Sequence, residues 1–171
     1  MTKKEYVKIE AKLEEMGLKL PPVGSSYTSP QTGPPVPVVV RNGIAYVSGH
    51  SARAIDGKGA APKGAVPSKV SPDDAREAAK GAGLTILTQL KEELGDLDRI
   101  SKWLYVAGMV NADPGFDRTS YVMSGFSEFI IELFGPEIGN HARSAAGHST
   151  LAGNSCVIVA AWVEIDGASS S

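Results

Sequence analysis

The sequence predicts an α/β (α+β) domain: a single sheet of about five strands with two long helices on one face. Three observations lead there. Two segments repeat apolar residues at helical spacing over at least four turns. Five shorter runs read as strands, two of them joined by Asn42-Gly43, the strongest short hairpin signal. The order helix, β, β, α, β, α, β, β fits one sheet backed by helices. With 171 residues and 42% apolar content, the chain is long enough to bury one core and is read as one domain over 1–171.

The elements follow in order. An N-terminal helix is expected within 1–20, where Ile9, Leu13, Met16 and Leu20 recur between charges; Gly17 suits its end and Pro21-Pro22 forbids continuation. Strands over 36–41 and 44–48 flank the Asn42-Gly43 turn, and Pro34, Pro35 and Pro37 confine the first of them to a sheet edge. Residues 57–69, rich in Gly, Pro and Ala, read as a mobile loop. Ser71-Pro72-Asp73-Asp74 then opens a long helix: a cap, a proline for the first turn and two carboxylates for the positive end of the dipole. Its apolar stripe runs Ala75, Ala78, Ala79, Ala82, Ile86, Leu87, Leu90, Leu94, and Gly95 closes it. A strand is predicted over 100–110, and a second long helix over 119–134 with Phe126, Phe129, Ile130 and Leu133 on one face, stopped by Gly135-Pro136. The last strands cover 141–150 and 156–165. The final one, CVIVAAWV, has no polar alternation, so both its faces want burial. Two helices cover only one side, which points to a homo-oligomer. Residues 168–171 are expected to be a disordered tail.

Composition excludes several classes. A single Cys cannot form a disulfide within the chain. No apolar run reaches the ~20 residues that span a bilayer, and the first 20 residues hold no signal-type stretch, so no membrane association is expected. A lone thiol suits a reducing cytoplasm, or equally an organelle interior. A net charge of −2 without a basic stripe argues against a nucleic-acid partner. Half of the 19 Gly and 11 Pro fall within residues 21–67, a region that contains the predicted hairpin and so reads as ordered loops rather than a linker.

The chemistry concentrates in two places. In HARSAAGH, 141–148, a guanidinium on Arg143 sits among small residues and offers a planar fork to a carboxylate. A structural ion pair with an acid at a subunit boundary explains it equally well. Strand alternation puts His141, Arg143 and Ala145 on one face and His148 on the other. In Ser48-Gly49-His50 the glycine permits close backbone approach by a ligand, although a plain strand end has the same pattern. His50, His141 and His148 lack metal spacing, and Cys156 reads as a buried hydrophobe, so neither a metal nor another cofactor is expected. No nucleophile elbow, Walker loop or dinucleotide fingerprint is present.

GLKLPP, IAYVSGH, SPDDAREAAKGAGLTILTQLKEELGDLDRI, VAGMVNADPGF and FGPEIGNHARSAAG together resemble the Rid family (reactive intermediate deaminases, YjgF-like, formerly L-PSP endoribonuclease), in its longer subgroup with an N-terminal helix. The resemblance runs over about 6–167. It implies a chorismate-mutase-like fold and a homotrimer whose sheets line a central barrel, with ligand clefts between subunits. It further implies that Arg143 binds the carboxylate of a small 2-imino or 2-enamino acid, that Ser48, Gly49 and Ser124 line the cleft, and that hydrolysis to a 2-keto acid and ammonia proceeds without a cofactor.

The departures are chemical. Where many active members carry a glutamate on the last strand, this chain has Ile158; the family's Gln after Ser-Gly is His50, its cysteine near the arginine is Ala145, and an Asn-Gly-Ala-Ser segment is Ser124-Gly125-Phe126-Ser127. An aliphatic group cannot activate water, a contribution worth roughly 10²–10⁴-fold. His50 and His141 are the substitute acid–base candidates. A non-catalytic binder of small carboxylates is the alternative. RNA cleavage has little support, with 6% aromatic residues and no basic stripe.

Overall fold

The computed structural model describes residues 8–23, 36–56 and 62–166. Five strands, β1 (Val38–Arg41), β2 (Ile44–His50), β3 (Ile100–Asn111), β4 (Ala142–His148) and β5 (Val157–Ile165), form one sheet in the order β1-β2-β5-β3-β4. All neighbours are antiparallel except β3 and β4, which run parallel. Helices α2 (Pro72–Leu94) and α3 (Thr119–Gly139) pack on one face, and a short α1 (Ile9–Glu15) leans on α3. This is the predicted arrangement.

Local chemistry explains the elements. Asn42 and Gly43 have φ of 51° and 74°, the two positive values that a two-residue hairpin requires. Ser71 Oγ accepts the Asp74 N–H at 3.0 Å, Pro72 opens α2, and Gly95 at φ 78° closes it. The predicted stripe of α2 is buried throughout and meets Phe126, Phe129, Ile130 and Leu133 of α3 over Val106, Val110, Val159 and Val163 of the sheet. Trp103 is fully buried, edge-on to Phe126 and Phe134 with centroids 5.8 and 5.7 Å away.

Three boundaries differ from expectation. The N-terminal helix occupies only Ile9–Glu15 of the described residues, because Gly17 turns the chain at φ 68°; Leu18 and Leu20 still pack on the core without helix. Helix α3 breaks at Gly135 (φ 77°, ψ 162°) as predicted, but Pro136 suits the start of a turn and the chain coils on to Gly139. The loop expected over 57–69 is anchored from 62 onward: Val66 is fully buried, its N–H meets the Asn111 carbonyl at 2.8 Å and its carbonyl takes the Asp113 N–H at 2.9 Å. Residues 57–61, the tail at 168–171 and positions 1–7 of the expected helix lie outside the described residues.

The other sheet face stays open. Within one chain β5 buries Val157, Val159, Ala161, Val163 and Ile165 and leaves Ile158, Ala160 and Trp162 on the far side. There Trp162, 47% exposed, contacts Tyr46 and Tyr105, with ring centroids 6.2 and 4.9 Å apart. Among the described residues no helix is long and apolar enough to cross a membrane.

Candidate functional site

Strand β4 is the sheet edge beside β3, where Arg143 lies level with the buried Val106. The alternation read from the sequence therefore turns Arg143 toward α3. Its Nη1 donates to Ser127 Oγ at 3.0 Å and its Nη2 to the Ser120 carbonyl at 3.3 Å. A guanidinium has five donors, so these two bonds leave three without a partner among the described residues. No carboxylate among the described residues lies within salt-bridge distance; Glu128, on the same helix, pairs with Arg76 instead. Partial burial lowers the Arg143 pKa, and the Glu128 charge opposes that shift.

His141 stands on the same face. Its Nε2 lies 2.9 Å from Ser127 Oγ and its Nδ1 2.7 Å from the Gly139 carbonyl. Desolvation lowers its pKa first and the Arg143 and Lys102 charges add to this, while the Gly139 hydrogen bond acts the other way. Ser124 is near the arginine, but its hydroxyl donates to the Ser120 carbonyl at 2.9 Å, the same oxygen that takes Arg143 Nη2.

Ser127, the last residue of the segment Ser124-Gly125-Phe126-Ser127, is a site residue that the sequence did not single out. A signal for it exists: Ser120, Ser124 and Ser127 fall at i, i+4 and i+7, a hydroxyl stripe along one side of α3.

Ser48, Gly49 and His50 are elsewhere. They belong to β2, three strand positions from β4, or about 14 Å at the usual spacing. Ser48 ties down β1, its N–H on the Pro37 carbonyl (2.9 Å) and its Oγ on that of Val36 (2.8 Å). Gly49 abuts Ile158: a Cβ there would lie 2.8 Å from Ile158 Cγ2. These residues, with His50, Arg53, Gln89 and Ile158, border a cleft of about 540 Å³. His50 Nε2 is buried without a hydrogen-bond partner among the described residues, and its pKa is lowered, by burial first and then by the Arg53 charge. One chain thus carries two separated groups of candidate residues. Cys156 is buried, and desolvation pushes its thiol up to about 11.

A five-stranded sheet with a parallel edge pair and two helices on one face defines the class: the α+β fold of the YjgF gene product of E. coli, which covers 85% of this chain and 98% of its own at TM-score 0.55 and 14% identity. Two matches are closer in sequence. Protein TCP17 of Trypanosoma cruzi is 31% identical over 165 residues, 93% of this chain and 95% of that protein. The solved Atu1372 protein from Agrobacterium tumefaciens, of unknown function, is 33% identical over 94% of this chain and 95% of its own, at TM-score 0.81. No family model matches the chain. The chain belongs to the Rid (YjgF-like) family.

Proposed function

We propose that the protein binds a small carboxylate metabolite at Arg143 and hydrolyses 2-imino or 2-enamino acids to 2-keto acids and ammonia, in clefts between the subunits of a cytoplasmic homotrimer. One observation carries this reading: Arg143 is held by Ser127 and the Ser120 carbonyl, keeps three donors free and has no acid partner among the described residues. An arginine fixed by neutral groups retains its full charge for an incoming anion.

The separation of the two residue groups supports an intersubunit cleft. Arg143 at one sheet edge would face Ser48, Gly49 and Ile158 of a neighbouring chain, and the face with the exposed Tyr46 and Trp162 and the half-buried Tyr105 would be covered in the assembly. In such a cleft Arg143 fixes the carboxylate, and Ile158, packed against Gly49, forms an apolar wall of the cleft beside it. Attack of water on the C=N carbon then yields the keto acid.

Ile158 supports a second reading, a binder that performs no chemistry, because the β5 position offers no acid–base group. Release of keto acid from 2-aminoacrylate, generated in place by a dehydratase, separates the two. Wild type is expected to accelerate it and Arg143→Ala to lose that effect; no acceleration by wild type removes the deaminase reading. Pyruvate that binds Arg143→Ala as tightly as wild type removes both.

A further inference from the structure

The hydrogen bonds around Ser127 have a defined direction. The Gly139 carbonyl can only accept, so His141 Nδ1 carries a proton. In the neutral ring Nε2 is then an acceptor, and Ser127 must donate to it at 2.9 Å. Ser127 Oγ also accepts from Arg143 Nη1 at 3.0 Å. A hydroxyl oxygen has two lone pairs, so one remains beside the three free donors of the arginine. This is a base oriented by a third group and joined to a hydroxyl, next to an anion anchor.

We propose that Ser127 is a catalytic residue of the deaminase reaction, taking a proton from the attacking water, with His141 as the proton acceptor behind it. The proposal rests on the deaminase reading above. Ser127 and His141 supply the acid–base function that Ile158 lacks.

With the substrate carboxylate on Arg143, the water oxygen bonds to the carbon of the protonated imine and the C=N electron pair moves to nitrogen. The water proton passes to Ser127 Oγ as the Ser127 proton passes to His141 Nε2, leaving a carbinolamine and an imidazolium. The imidazolium then returns its proton through Ser127 to the amine nitrogen. The C–N bond breaks with its electron pair on nitrogen, and the carbinol proton completes ammonium and the keto acid.

Burial first, and then the cations around it, lower the His141 pKa and favour its free base. Arg143 on β4 and Lys102 on β3 are both cations. From α3 come the edge-on Phe126 ring, Glu128, already paired with Arg76, and Glu137, whose carbonyl takes Lys102 Nζ at 2.6 Å.

The test compares Ser127→Ala, Ser127→Thr and His141→Gln with wild type in the aminoacrylate assay, alongside pyruvate titrations. Glutamine retains an acceptor for Ser127 but does not titrate. His141→Gln is expected to bind pyruvate like wild type, to lose about 10²-fold in kcat and to lose the acid limb of the kcat–pH profile. Ser127→Ala should fall similarly, and Ser127→Thr, which keeps the hydroxyl, should recover most of the rate. Wild-type kcat and an unchanged acid limb in both Ser127→Ala and His141→Gln overturn the relay and leave the deaminase reading standing. A wild type that releases no keto acid overturns both.

Discussion

Replacing Gly125 with alanine sets two known effects against each other. In an exposed helix interior alanine is better than glycine by about 1 kcal/mol. Here α3 crosses α2 at that residue, and a Cβ would lie 2.1 Å from the Arg76 carbonyl oxygen and 2.8 Å from Arg76 Cγ. Heavy atoms settle at about 3.5 Å or more, so the helices must part by about 1.4 Å. The obstacle is backbone, which cannot swing aside. Overpacking of a close-packed interior costs about 1–3 kcal/mol. The upper end applies, because the same two helices are also tight at Gly83 of α2, where an added Cβ would lie 3.0 Å from Phe129 Cδ1. The net expectation is about 2 kcal/mol of destabilisation, or a Tm lower by about 4–8 °C for a chain of this size. Urea titration and thermal circular dichroism, run at one protein concentration, measure it. A variant as stable as wild type, or more so, refutes the reasoning about this crossing.

Three further outcomes are expected. Cys156 should resist a thiol reagent at pH 8 in the native protein and react once urea unfolds it, since its thiol titrates at about 11; rapid labelling of native protein contradicts the buried site. His50 and His141 both have pKa values lowered by folding, so the unfolded chain, near 6.5, takes up protons first. Their stabilisation is complete above about pH 6.5 and is lost as pH falls toward the native values; His50→Gln should flatten that slope between about pH 7 and 5 in urea titrations, and an unchanged slope counts against the buried ring. Trp162→Glu, at a side chain 47% exposed in one chain, should leave the monomer folded but convert the proposed assembly to 17.9 kDa particles in light scattering and weaken pyruvate binding; an intact oligomer overturns the proposed packing of that face.

Local chemistry made most of the architecture legible. Ser71, Pro72 and Gly95 bracket α2 because caps act through adjacent backbone, and Asn42-Gly43 fixes its hairpin for the same reason. Strand alternation was enough to put Arg143 and His141 on one face. Ser127 escaped because its role depends on which strand packs against α3, a fact no window of sequence contains. The distance from Arg143 to Gly49 was hidden likewise: strand order arises from long-range pairing, and β5, last in the chain, inserts between β2 and β3. Residues 57–69 read as mobile because they are rich in Gly, Pro and Ala, yet Val66 hydrogen-bonds to the end of β3.

The three strand positions between Arg143 and Gly49, about 14 Å at the usual spacing, have a genetic consequence in the proposed assembly. If each cleft draws the arginine from one subunit and the glycine from the next, two defective alleles, one lesion at each position, repair each other in mixed rings. Random assembly from equal amounts of both restores about one cleft in four. A site contained in one chain would gain nothing from the mixture.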